Sequence, residues 1–547
     1  MCNPLNLSYR FQAQSKRDYP CCREAADPSV VAYKGTFWLF ASKSSGYWHS
    51  TDLKDWHFVE SKSLPVEDYA PDIRVIDGWL YCTASHGSKA CPVFRSQDPA
   101  SDVWEEVSAP FAFWDPNLFQ DDDGRVYLYW GCSDKAPIYG VEMDRKTMLP
   151  LMSPVALVGQ NQDRHGWERR GENHGGDGAP YIEGAWMTKH NGVYYLQYAG
   201  PGTQWNVYGD GVYTSDAPLG PFAYARHNPF SYKPGGFIRG AGHGSTFADD
   251  DGNLWHISTM QISIKHMFER RIGLFPAGFD EDGILYCNTR FADYPMKYPL
   301  GKWDPWSAPF QGWMLLSYNK PATASSSMPG HAPALAVNEN VQDYWAATEE
   351  KQAWFQVDLG ESCTVHAVQV NFAEEGCSQY KRPEVPLKHQ YILEGSNDGG
   401  SWIVLRDKQA NTEDVPHDYV EFNTPARVRH VRIRITHMPA GGRPALSGLR
   451  IFGIAPGSPP EPVRTVKIVR DTAVDPRTAT LSWEPARTAS GYNVLWGIEK
   501  NKLYSCWQVH DRNELELRAL NAGQDYWVAV EAFNASGVAA PSAPVRM

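Results

Sequence analysis

One module recurs five times in the first half of this chain, and that recurrence limits it to few architectures. Each copy has a polar start, an apolar strand-length run, a turn with Gly and an aromatic strand-length run. The copies are ADPSVVAYKGTFWLFAS (Ala26 to Ser42), APDIRVIDGWLYCTAS (Ala70 to Ser85), DPNLFQDDDGRVYLYWG (Asp115 to Gly131), IEGAWMTKHNGVYYLQYAG (Ile182 to Gly200) and GHGSTFADDDGNLWHIST (Gly242 to Thr259). Their runs meet at Lys34-Gly35, Asp77-Gly78, Asp123-Gly124, Asn191-Gly192 and Asp251-Gly252. Asp-Gly and Asn-Gly favour the positive backbone angles of tight hairpins. Repeats of roughly 45 to 65 residues, each a small antiparallel sheet, predict the blades of a β-propeller and not a sandwich. Five copies predict five blades in an all-β protein.

The innermost strands of a propeller run along its axis, so residues at one repeat position converge at one end. Asp27, Asp72, Asp115, Glu183 and His243 are read as that position, and one pocket is expected to receive all five. Turn formation explains any single Asp before Pro. It does not explain a titratable residue in every copy, because a blade start needs no carboxylate. Clustered carboxylates push their pKa values apart and so provide one acid and one base. Glu183 follows a Gly-rich polar run (RGENHGGDGAP) and is flanked by Gly184 and Trp186; apolar surroundings raise a carboxyl pKa, which suits a general acid. Tyr47, Trp48, Trp114, Trp186 and Trp205 are candidates to wall that pocket by stacking on a ligand, with space-filling between blades the alternative for each. Trp114 and Trp186 adjoin expected catalytic residues.

Composition narrows the class. At 547 residues the chain exceeds a single core, and ~150 residues per domain suggests three or four units. The formal charge of −12 comes without a Lys/Arg stripe, which argues against nucleic acid as a partner. No apolar run reaches the ~18 residues of a membrane span. The ten cysteines form no CxxC pair and support no zinc site; Cys21 with Cys22, and Cys82 with Cys91, are either paired or free. Cys2 is either a lipid-attachment position left after an export signal was removed or a chance cysteine. Export to the periplasm, cell surface or medium of a bacterium is the expectation.

Residues 1 to about 300 resemble glycoside hydrolase family 43, the five-bladed propeller glycosidases. The resemblance rests on ADPSV, WDPNLFQDDDG and IEGAW, and it implies a general base at Asp27, a pKa-tuning and orienting carboxylate at Asp115 and a general acid at Glu183. Family members often have Pro after the acid's Gly, where this chain has Ala185. His243 in GHGS resembles the axial His that contacts a metal ion or water. Arg271 in RRIGLF resembles the substrate-binding Arg, the adjacent Arg270 leaving the register open. The resemblance implies an oligosaccharide or polysaccharide substrate and no organic cofactor, with structural calcium as an option, in a monomer.

Past a Pro- and Trp-rich tie (Pro295 to Pro309), residues 312 to 455 resemble a discoidin-type (coagulation factor type C) jelly roll through WFQVDLG, VRHVRIRITH and LSGLRIFG. Residues 460 to 547, after the seam APGSPPEPVRT, resemble a fibronectin type III sandwich. The whole reads as propeller (1 to 305) plus two appended modules: an exo-acting, inverting glycosidase of α-L-arabinofuranosidase or β-xylosidase type. Galactofuranosidase or galactosidase activity is the alternative within the family, and an inert carbohydrate-binding protein the alternative from another class. The modules are expected to be dispensable for cleaving a small aryl glycoside.

Overall fold

Each of the five repeats becomes an antiparallel sheet of four strands, with a fifth short strand (Ser231–Tyr232) added in the fourth, in the computed structural model, which describes residues 1–12, 22–65, 68–298, 301–307, 309–349, 351–379 and 382–547. The inner strands are Ser29–Tyr33, Tyr69–Ile76, Asn117–Gln120, Glu183–His190 and Arg239–Ala248. Each lies against the next, and the fifth returns to the first, so the ring is closed. Three hairpins turn as their sequences predict, with both residues at positive φ: Lys34 and Gly35 (52° and 74°), Asp77 and Gly78 (49° and 75°), Asn191 and Gly192 (49° and 83°). The two DDDG turns are wider. There Asp121 N–H bonds Arg125 C=O and Asp249 N–H bonds Asn253 C=O, and Gly124 and Gly252 carry the positive φ.

A second fivefold pattern ties the blades together at the axis. Ser29 Oγ accepts from Ile73 N–H (3.0 Å), Asp72 Oδ2 from Leu118 N–H (2.7 Å), Asn117 Oδ1 from Met187 N–H (2.8 Å) and Ser245 Oγ from Val30 N–H (3.2 Å). Trp186 completes the circle by donating from Nε1 to Thr246 C=O at 3.2 Å. These five equivalent side chains each satisfy a buried backbone group of the following blade, a need that no water can meet there. Asp72 and Trp186 therefore belong to the ring that closes the propeller.

The discoidin-type domain is built on two long paired strands, Ala353–Phe372 and His417–His437, bent by register shifts after Asp358 and Val365. The last domain stacks the sheet Val466–Val469, Ala479–Trp483 and Glu514–Leu517 on the sheet of Gly491–Gly497, Ser505–His510 and Trp527–Asn534. Both are docked tightly. Gly166 N–H bonds Leu520 C=O (2.9 Å), Ala522 N–H bonds Arg164 C=O (2.7 Å), and Trp496 and Trp507 meet Tyr232 edge-on. Val341 N–H bonds Phe237 C=O (3.0 Å), and buried Arg450 stacks on Phe237. In the tie, Trp303 packs on Trp255 and Trp306 on Tyr286. Both modules and the Trp-rich tie are thus packed on the propeller.

The Cys2 thiol is buried and bonds Asp293 C=O at 2.9 Å, which leaves no room for a lipid on that sulfur. Cys91 is a buried free thiol; Cys21 lies outside the described residues. Among the described residues no helix is long and apolar enough to cross a membrane.

Candidate active site

The site forms where a left-handed kink stands at the axial end of every blade, at or next to the start of the inner strand in four blades and within it in the fifth. Asp27 (φ 52°), Ala70 (52°), Asp115 (51°), Gly184 (62°) and His243 (49°) are its five occurrences. The second blade thus brings Ala70 to this level and not Asp72, which corrects the expected set of five. Counting back from the turns finds the true position: seven residues before Lys34, Asp77 and Asn191 stand Asp27, Ala70 and Gly184. Neighbouring blades hold the kinks. Asp27 N–H bonds Thr259 Oγ1, Ala70 N–H bonds Ser42 Oγ, Asp115 N–H bonds Ser85 Oγ and His243 N–H bonds Asp210 Oδ1, all within 2.7 to 2.9 Å.

Asp27 is buried and fully engaged. Its Oδ2 accepts from Ser42 Oγ at 2.6 Å, its Oδ1 accepts from Arg270 Nη1 at 3.1 Å, and His243 Nδ1 lies 3.3 Å from Oδ1. Burial alone would push this carboxyl up, but Arg270, His243 and the hydroxyl bonds outweigh it and hold it below the ordinary range. Asp115, 3.8 Å from His243 Nδ1, lacks such a guanidinium. Burial raises it to about 7, the charges of Glu183 and Asp27 adding to the shift and His243 opposing it. His243 responds in the other direction: burial lowers its proton affinity, and Asp27, Asp115 and Glu183 raise it above the usual value.

Glu183 stands one residue before its blade's kink and is partly exposed. Tyr208 OH donates to its Oε1 at 2.5 Å and the Cys132 thiol to its Oε2 at 3.1 Å. One oxygen of Asp115, one of Glu183 and the Cys132 sulfur all lie within 4.8 Å of one another. Gly184 is required where it is, because a Cβ there would stand 2.6 Å from His243 Cγ. Calcium takes six to eight oxygen ligands; here it would meet a thiol and an imidazole among the carboxylates.

Asp27, Asp115, Glu183 and His243 are brought together as expected. Trp114, the residue before the third kink and so the counterpart of Glu183, is 39% exposed and free to meet a ligand. The other aromatic candidates do not reach the carboxylates. Tyr47 is buried, stacked on Phe40 with its hydroxyl on Pro99 C=O, and Trp48 is buried with Nε1 on Ser8 Oγ. Trp205 packs on the core shared by the fourth blade and the last domain. Arg271 points away from the site, and Arg270 is the arginine that reaches it: strand side chains alternate, so only one of two neighbours can. Sequence reasoning also missed Ser42, Cys132, Tyr208 and Tyr69. Tyr69 is the second blade's counterpart of Glu183, beside Phe268 and under Arg270.

A closed five-bladed ring with an ionised carboxylate, a second carboxyl that holds its proton near neutrality and a partly exposed Glu beside it defines a hydrolase of the glycosidase type. The comparisons agree. Residues 21–285 match the model of glycosyl hydrolases family 43, residues 321–447 that of the F5/8 type C domain and residues 461–547 that of the fibronectin type III domain. The chain is 32% identical over 263 residues to a β-D-galactofuranosidase of Aspergillus niger, covering 41% of this chain and 70% of that protein. It is 29% identical over 252 residues to a β-xylosidase of Xylanibacter ruminicola, covering 36% and 77%. A solved thermostable family-43 glycoside hydrolase aligns at 23% identity over 55% of this chain and 99% of its own, with TM-score 0.45. The chain belongs to glycosyl hydrolase family 43 and is a glycoside hydrolase.

Proposed function

We propose that this enzyme removes a terminal furanose from a glycan with inversion at the anomeric carbon. Asp27 takes a proton from water as the water oxygen bonds to that carbon. The bond from the carbon to the leaving oxygen breaks, and Glu183 delivers a proton to that oxygen. Inversion requires the two carboxyls to be ~6.5 to 9.5 Å apart so that water fits beside the sugar. The observation that carries this reading is the unequal treatment of Asp27 and Asp115: Arg270 keeps the first ionised, while the second retains a proton up to about pH 7 beside Glu183. A base and a proton reserve therefore coexist at neutral pH.

A furanose is favoured because α-L-arabinofuranose and β-D-galactofuranose share a ring configuration and differ in the exocyclic carbon. The relative at 32% identity is named for the latter. Hydrolysis of 4-nitrophenyl α-L-arabinofuranoside, β-D-galactofuranoside and β-D-xylopyranoside, with the product anomer followed by proton NMR, tests the reading. Cleavage of a furanoside to the inverted anomer is expected. Turnover of the xyloside alone, or a retained anomer, overturns it; binding without product favours an inert lectin-like role.

A further inference from the structure

Two neighbouring strands carry the residues around the base, and their other faces lie inside the discoidin-type domain. Arg23–Glu24 runs beside the start of Arg270–Phe279, with Ala25 N–H on Arg270 C=O. Side chains alternate along a strand, and here the alternation divides two functions. Glu24 and Arg270 turn to the propeller axis, where Arg270 bonds Glu24, Asp27 and Thr203 Oγ1. Arg23 and Arg271 turn outward. Arg23 is ion-paired with Glu374 and Asp414 of the discoidin-type domain. Arg271 donates from Nε to His417 Nε2 at 2.9 Å and from Nη1 to Arg23 C=O at 2.8 Å. Because His417 Nε2 accepts, its proton is on Nδ1, which faces Asn371 Oδ1 at 2.8 Å. All of these side chains are buried.

From this geometry we infer that the discoidin-type domain is a working part of the catalytic unit, with His417, Glu374 and Asp414 as positioning residues that fix Arg270 against Asp27. The inference rests on Asp27 being the base. The physical reason is local. Without the domain, Arg23 loses both of its carboxylates and Arg271 its imidazole, and these buried guanidinium groups keep only backbone carbonyls of the propeller. Arg23 is the neighbour of Glu24 and Arg271 the neighbour of Arg270, so the backbone cannot follow one pair without moving the other. The domain then matters for a single-sugar substrate, where glycan capture by an appended module contributes nothing.

The test uses the full chain and a dinitrophenyl furanoside, whose leaving group leaves the base step exposed. The groups facing Asp27 are Arg270 and Glu24, His243, Asp115 and the Tyr208 hydroxyl; those facing Arg271 and His417 are Tyr9, Cys22, Arg23, Glu269 and His389. Folded His417→Ala is expected to lose about tenfold or more in kcat with KM nearly unchanged. Its acidic limb should move to higher pH, because a loosened Arg270 no longer favours ionised Asp27. His417→Gln, whose amide oxygen can accept from Arg271, should restore most of both. Wild-type kcat and limb in folded His417→Ala overturn the inference, as does a His417→Gln no better than the Ala variant. Should His417→Ala not fold, Asn371→Ser decides: a fall in kcat with the same limb shift supports the coupling, and wild-type behaviour overturns it. Asp27→Ala is the control. If it is inactive while His417→Ala is normal, only the coupling fails; if it is active, the base assignment fails.

Discussion

Tyr208 and Glu183 are joined by a 2.5 Å hydrogen bond from the tyrosine hydroxyl to Oε1, and the Cys132 thiol holds the other oxygen. Both donors come from outside the inner strands, so the carboxyl is aimed by side chains and not by its own kinked backbone. Tyr208→Phe removes the shorter of the two bonds and leaves the ring in place. The variant should lose about tenfold or more on a glycoside with an alkoxide leaving group and much less on a dinitrophenyl glycoside, since aiming the acid matters only when the leaving oxygen needs a proton. Equal losses on both substrates would mean that Tyr208 shapes the pocket and does not aim the acid.

The same logic separates the two main carboxylates. Glu183→Ala should lose ~10² or more on a natural glycan and far less on a dinitrophenyl glycoside, because protonating a good leaving group gains little. Asp27→Ala should lose heavily on both, since every substrate needs the activated water. Paired kcat/KM values for the two variants on the two substrates check this. A Glu183→Ala enzyme equally poor on both would remove Glu183 from the acid role.

The parts of the fold legible in the sequence were those written locally. Lys34-Gly35, Asp77-Gly78 and Asn191-Gly192 form tight turns because their own residues accept positive φ, so blade number could be read without long-range information. Asp72 lies outside the kink position because the carboxylates of the copies do not all share one repeat position. Its distance from the Gly turn, two residues short of the others, already marked it as a member of the lower ring. The choice between Arg270 and Arg271 depends on which face of a strand meets the axis, a phase set by packing and not by either residue. The interfaces were hidden for another reason. Arg23, Glu374 and Asp414 read as surface charges, and only mutual pairing lets them be buried.

Gly184 offers a test of the kink itself. Its φ of 62° costs a non-glycine residue roughly 1–2 kcal/mol. Asp27, Asp115 and His243 tolerate the same conformation in their blades, so strain alone is survivable. The added Cβ, at 2.6 Å from His243 Cγ, is not, because the imidazole is fixed between Asp27 and Asp115. Gly184→Ala should fold, lower Tm modestly and lose most activity on every substrate. Normal activity would show that His243 has room to retreat.

Asp115 should be a residue that the fold keeps at a cost in stability. Its carboxyl takes up a proton near pH 7 in the folded chain and near 3.8 when unfolded, chiefly because burial disfavours its charge. Between those two values the folded state binds more protons than the unfolded one, so stability falls as pH rises and the whole cost is present above about 7. Asp115→Asn removes the titration and keeps the shape. Its Tm should therefore exceed that of the wild type at pH 8, at about 2–4 °C for each kcal/mol recovered. The gain should shrink as pH falls below about 7 and vanish below 3.8, where the wild-type carboxyl is protonated in both states. Activity should move in the opposite sense. Without the Asp115 carboxyl, the proton that it holds up to about pH 7 is missing from the site, and the alkaline limb of kcat should shift to lower pH. Thermal unfolding at pH 4, 6 and 8 beside a kcat profile checks both halves. A variant less stable than wild type at pH 8, with an unmoved alkaline limb, would mean that Asp115 is ionised and satisfied where it stands.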